Sequence, residues 1–193
     1  MLVARSRERG FTLLEVVIAV VIMVLLSASI FPAVSEQIER RRIDASVKTL
    51  KSLADAVTAF RKDTAVNPGS MVDLSNPITT GGTNSCGAAY TTPNVNAWAG
   101  PYYTQQLLPA TGLPLSNENV GRVNNTLVRS PAGVATAGSL AFQAVSVRLD
   151  QATEINEVVD GDASATTGRV RWTTPADANG FVTLSYHVAI NGC

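Results

Sequence analysis

Four groups of residues in this chain have types and spacing that can do chemistry. The first is Glu15, a carboxylate at the head of a run, Val16 to Val34, that contains no charged residue. A carboxylate beside hydrocarbon is costly and takes a cationic partner or the positive end of a helix dipole. The second is Cys86 and Cys193, the two cysteines of the chain. Two thiols are too few for structural zinc, which takes about four ligands, and only His187 stands beside them. If this part of the chain is exported, one disulfide is the leading reading, with two unpaired buried thiols as the alternative. The third is Asp160-Gly161-Asp162-Ala163-Ser164, with Asp150 and Glu157 nearby. Calcium takes about six to eight oxygens, and the run lacks the spacing of an EF-hand loop. A polar turn is the default here; calcium is the alternative cofactor, with Asp160 and Asp162 as its candidate ligands. The fourth is His187, a lone histidine with no Cys or Asp partner motif for nucleophilic or acid–base work. With no phosphate-cradling Gly-x-x-x-x-Gly-Lys motif either, the chain reads as a non-enzyme.

The elements that carry these groups follow from pattern. A chain of 193 residues suggests one domain with an appendage. Fifteen basic and fifteen acidic residues cancel, so no global charge recruits nucleic acid. The charge is uneven, with Arg5, Arg7 and Arg9 before the apolar run and Arg40, Arg41 and Arg42 after it. The nineteen residues from Val16 to Val34 fall within the length that spans a hydrocarbon core as a helix. The arginines on the N-terminal side predict a cytoplasmic N-terminus. A cleaved secretory signal, with Ser27-Ala28-Ser29 near its cleavage site, competes with this, as does a plain signal anchor. Glu15 is unwelcome in both. The helix also continues: from Glu36 to Asp63 there is no Gly or Pro. Ile43, Val47, Leu50, Ala54 and Val57 recur at spacings of four and three, widened by Leu53 and Phe60, as one buried face requires. Glu36/Arg40, Asp44/Lys48 and Lys51/Asp55 stand four apart on the outer faces. Pro32 interrupts the pattern, where a kink or local melt is expected.

Gly10-Phe11-Thr12-Leu13-Leu14-Glu15, after a basic leader and before an apolar run, resembles the processing motif of type IV prepilins and pseudopilins. The resemblance covers the first third of the chain. It implies cleavage by prepilin peptidase between Gly10 and Phe11, and N-methylation of Phe11. It implies that the new amine of Phe11 is neutralised by Glu15 of a neighbouring subunit, with Thr12 adding a hydroxyl hydrogen bond. Pro32 falls where many pilins carry a proline and where the helix of the assembled filament is partly unwound. "NAWAGPYY", residues 96 to 103, resembles a segment that pseudopilins and some pilins place between helix and sheet, with Trp98, Pro101 and Tyr102 packing the loop onto the helix.

Residues 64 to about 120 read as a long loop region marked by Asn67-Pro68-Gly69, Asn76-Pro77 and Gly81-Gly82. Strands are predicted over 120–129, 140–147, 168–173 and 181–190, with a short helix and turn over 148–162. The expected class is α+β: a long N-terminal helix on a C-terminal antiparallel sheet, which is the pilin fold by resemblance. The expected organisation is a leader over 1–10, a membrane and filament-core half-helix over 11–35, an amphipathic half-helix over 36–63, and an exported head over 64–193. A Cys86–Cys193 bridge would clip the C-terminus to the loop region, as in many pilins. The resemblance implies a structural subunit of a type IV pilus, polymerising with itself or with other pilins from an inner-membrane pool. Its partners would be prepilin peptidase, an assembly platform in that membrane and a separate cytoplasmic ATPase. A pseudopilin of a type II secretion system is the alternative, with a periplasmic rather than extracellular filament. A membrane-anchored binding protein or enzyme is a remote third.

Overall fold

The computed structural model describes residues 12–105, 112–115, 120–130 and 137–191, without the side chains of 28–33, 114, 137 and 191. Gly10 and Phe11, the side chain of Pro32, and Cys193 lie outside them. The chain divides into two compact units, residues 1–41 and 42–193.

Helix α1 runs Leu13–Thr64. Within the larger unit, the residues with no glycine or proline do what their periodicity predicts. Ile43, Val47, Leu50, Leu53, Val57 and Phe60 are buried, while Ala54 is only half-buried at the edge of the stripe. Ser46 is also buried, and it is satisfied by donating to the Arg42 carbonyl at 2.9 Å, the local bond that lets a hydroxyl face a core. Of the three ion pairs expected along the outer faces, Glu36–Arg40 forms at 2.8 Å. Asp44–Lys48 and Lys51–Asp55 do not form among the described residues. Exposed pairs at this spacing gain only about 0.3–0.5 kcal/mol, too little to hold two long side chains in one geometry.

Five antiparallel strands follow: β1 (Leu113–Pro114), β2 (Arg122–Ser130), β3 (Ala137–Arg148), β4 (Val170–Trp172) and β5 (Phe181–Asn191). They lie in the order β1-β2-β3-β5-β4. Alternation sets the buried face, with Leu140, Phe142 and Ala144 on β3 opposite Val188, Tyr186 and Leu184 on β5. The β3–β5 register shifts between Ala144 and Val147, and Ser146 takes a positive φ of 58°. This bulge lets Val147 return to the core after one extra residue. Helix α3 (Leu149–Asp160) ends at Gly161, whose φ of 78° closes the helix in the left-handed conformation that glycine adopts without a Cβ penalty. One cluster of buried residues joins the α1 stripe to β3, β5 and α3. The result is an α+β fold of pilin type.

The stretch between α1 and the sheet is more structured than a loop. It holds a 3-10 turn (Met71–Leu74) and helix α2 (Thr92–Ala97). Tyr90 ties it together: its hydroxyl donates to Asp73 Oδ2 and accepts the Gly69 N–H, both at 2.7 Å. Burial and the Asp73 carboxylate push the Tyr90 hydroxyl's pKa upward, so the group stays a donor. "WAGPYY" packs on the spine through Trp98 and Tyr102, while Pro101, expected to pack with them, is exposed. Tyr102 meets Phe60 edge-on at 5.5 Å and Trp98 at 5.8 Å, and the Trp98 indole donates to the Asp73 carbonyl at 3.1 Å. A Cβ at Gly100 would stand 2.5 Å from the Trp98 ring. Gly100→Ala must therefore push the ring off Tyr102, and overpacking of this kind costs about 1–3 kcal/mol. A lowered unfolding temperature of the full-length chain in detergent, with Ala99→Gly as the neutral comparison, measures this.

Candidate functional site

The N-terminus of α1 is built from Thr12 and Glu15. Thr12 Oγ1 accepts the Glu15 N–H at 3.2 Å, so the threonine caps the helix and satisfies one of its orphan donors. With this one bond accepted, the Thr12 hydroxyl keeps its proton and a second lone pair for the hydrogen bond expected of it between subunits. The Glu15 carboxylate is exposed and makes no hydrogen bond or ion pair among the described residues. Beyond it, Leu13, Leu14, Val16, Val17, Ile18, Val20, Val21, Ile22, Met23, Val24, Leu25 and Leu26 are all exposed, Met23 to 67 %. So long an apolar surface marks an interaction site. Among the described residues no helix is long and apolar enough to cross a membrane.

Cys86 is held in a disulfide. Its Sγ lies 3.5 Å from an Arg129 guanidinium nitrogen and 3.9 Å from Asn67 Nδ2. Backbone amides of the same loop are fixed by Asn84, whose Oδ1 accepts from the Cys86 N–H at 2.9 Å.

The acidic run after α3 is a turn organised by a residue the sequence did not flag. Asn156 is fully buried, and its Nδ2 lies 2.9 Å from the Asp162 carbonyl, 2.8 Å from Asp162 Oδ1 and 3.2 Å from the Ser164 carbonyl. These oxygens converge on an amide nitrogen. Asp162 Oδ1 also accepts the Ser164 N–H at 2.9 Å, and Asp160 Oδ2 accepts the Val170 N–H at 2.7 Å. Both candidate calcium ligands therefore have structural hydrogen bonds. Among the described residues no three His, Cys, Asp or Glu side chains gather into a metal-holding group. Asp150 is paired with Arg148 at 2.9 Å, and that hydrogen bond holds its carboxyl below the usual range.

His187 faces a cavity of about 570 Å³ between α1 and the β4–β5 edge, lined also by Lys51, Asp55, Ser139, Arg169 and Arg171. Its Nδ1 is 2.8 Å from Ser139 Oγ. Burial and then the Arg171 charge lower the imidazole's pKa. Ser139 thus occupies the ring nitrogen that a catalytic triad gives to its carboxylate, and among the described residues no carboxylate meets the other nitrogen.

Comparison with known proteins adds two findings. The family model described as the prokaryotic N-terminal methylation motif matches residues 5–31. The type II secretion system core protein G of Pseudomonas aeruginosa is 27% identical over 124 residues, which are 61% of this chain and 85% of that protein. No solved structure matches the chain.

Proposed function

We propose that this chain, a type IV pilin-like protein by its methylation motif and its fold, is a pseudopilin: a structural subunit of a type II secretion system. The observation that carries the reading is the exposed apolar surface of α1 from Leu13 to Leu26, interrupted by the carboxylate of Glu15, which has no partner among the described residues. Such a surface needs lipid around it before assembly and the helices of other copies after it. In this reading Val16–Val34, a stretch that includes residues whose side chains lie outside the described ones, crosses the inner membrane once, prepilin peptidase cuts between Gly10 and Phe11 on the cytoplasmic side, and Phe11 becomes the methylated N-terminus. Subunits then leave the membrane pool and stack into a periplasmic filament, alone or with related pilins. The work of extension comes from a separate ATPase, and the chain itself performs no catalysis.

Two observations favour secretion over a surface pilus. The similarity to a secretion-system core protein covers 124 residues, far more than the N-terminal motif, and "WAGPYY", a segment resembling one of pseudopilins and some pilins, packs on α1. The pilus reading keeps the disulfide and the Thr- and Asn-rich loops on its side and ranks second. Deleting the gene separates them. Retention of normally secreted proteins in the periplasm, with surface filaments unchanged in sheared fractions by electron microscopy, is the expected result. Loss of long surface filaments with secretion intact would establish the pilus subunit instead.

A further inference from the structure

The cavity between α1 and the β4–β5 edge carries three cations, Lys51, Arg169 and Arg171, against one acid, Asp55. Among the described residues neither the Lys51 ammonium nor the Arg169 guanidinium makes an ion pair or hydrogen bond, and Arg171 spends its Nε on the Gly168 carbonyl at 3.0 Å. The acids nearest along the chain are engaged elsewhere: Asp160 by the Val170 N–H and Asp162 by the Ser164 N–H. Ala54 and Val188 add an apolar wall. β4 pairs with β5 only from Leu184 to Tyr186, so beyond the His187 N–H, which donates to the Arg169 carbonyl at 2.7 Å, this stretch of β5 presents an open edge to the cavity. Open edges of this kind are usually covered.

The chain supplies a complementary surface. Helix α3 contains Asp150, Glu154, Glu157 and Asp160 and no basic residue. Asp150 is paired to Arg148, but Glu157 is exposed and its carboxylate makes no hydrogen bond or ion pair among the described residues. Beside it Val158 is 49% exposed. A free carboxylate next to a free valine matches unpaired cations next to Ala54 and Val188. The chain as a whole has no net charge, so segregated basic and acidic surfaces attract between copies instead of repelling. Because the two surfaces are different patches, their contact is head-to-tail, the kind that propagates into helical filaments and not into a closed dimer.

We propose that this basic cavity receives Glu157 and Val158 of a second copy of the chain, as a contact between exported domains within the filament. The inference rests on the assembly reading above and adds a contact that the apolar helices do not provide.

The test is charge reversal and swap in the full-length chain in cells that assemble it. Lys51→Glu with Arg169→Glu is chosen because neither side chain supports the fold of its own copy. This variant is expected to reach normal levels in the membrane pool and to lower the filament yield by about tenfold or more, since like charges brought together at an interface cost several kcal/mol. Glu157→Arg alone is expected to do the same. Combining all three reverses both sides at once and is expected to restore most of the yield, an outcome that a folding defect would not give. Unchanged yield in the single-sided variants, or no restoration in the combination, overturns the contact while leaving the assembly reading standing. Saturable binding of inorganic phosphate at the cavity, with yields indifferent to the swap, makes it a small-anion site and also overturns the proposal. Absence of any polymer from the unaltered chain removes the assembly reading and this contact together.

Discussion

Replacing Glu15 with Ala is expected to leave processing between Gly10 and Phe11 intact and to abolish incorporation into filaments. In a single chain Glu15 is exposed and has no partner among the described residues, while its backbone N–H is already satisfied by Thr12 Oγ1. Its side chain is therefore not needed to cap the helix. Its remaining contribution within one chain is to the helix dipole, which is worth about 0.3–1 kcal/mol and is too small to decide assembly. Between chains the magnitude is different. In the proposed reading, cleavage gives Phe11 a cationic amine, and packing apolar helices together would take that amine and Glu15 out of water. An unpaired buried ion costs several kcal/mol, so each subunit added without the pair is disfavoured by a factor of hundreds or more. Glu15→Gln separates charge from shape: it keeps the size and hydrogen-bonding capacity and should fail as Glu15→Ala does. The mass of the mature N-terminus reports processing, and the chain recovered in sheared or cross-linked filament fractions reports assembly. Filament yield at the unaltered level in both variants would refute the pairing.

The elements that carry this argument were legible because they are long and periodic. The stripe from Ile43 to Phe60 allows one buried face, and the structure moves only its edge, giving Leu53 a place in the core and leaving Ala54 at the margin. The strand of 181–190 was readable because its alternation is nearly unbroken. β3 reads as 140–147 in the sequence and runs Ala137–Arg148 in the structure, because Ala137, Gly138 and Ser139 carry no strand pattern of their own and are placed by pairing with Asn191, Ile190 and Ala189 of β5. The 3-10 turn, α2 and β1 lie in a stretch that reads as loop because each is only a few residues long and is held by partners far away in sequence. The Val72 N–H, for example, is satisfied by Asn125 Oδ1 at 2.9 Å, and no local pattern encodes that bond. Asn156 was missed for a related reason. It sits in a polar helix among acids, and its importance comes from three oxygens brought to it by the turn that follows. The basic cavity was the least legible feature. Lys51, Ser139, Arg169 and His187 belong to four different stretches, and in the sequence the arginines look scattered. Only the sheet register and the placement of α1 on its edge gather them. The expected salt bridge between Lys51 and Asp55 does not form, which leaves that lysine available.

Breaking the disulfide at Cys86 is expected to be the most destabilising single change in the unit of residues 42–193. If its partner is Cys193, the bridge closes a loop of 107 positions, and closing loops of that size is worth about 4–5 kcal/mol in the chain-entropy model. That is a large fraction of the roughly 5–15 kcal/mol that holds a domain folded. The surroundings of Cys86 add to the cost of Cys86→Ala. Arg129 and the buried Asn67 both direct nitrogens toward the sulfur, and an alanine methyl gives them nothing to contact. Cys193→Ala should therefore cost somewhat less than Cys86→Ala, with the difference coming from these contacts and not from the loop. The pairing itself is tested by non-additivity. If the two cysteines share one bond, the double variant is no less stable than Cys86→Ala alone, and reductant lowers the unaltered chain toward the variants but leaves the double variant unmoved. Unfolding of the full-length chain in detergent by urea, with and without reductant, supplies all four values. Additive losses in the double variant would mean that the two residues act independently and that Cys86 is bonded to a sulfur outside this chain.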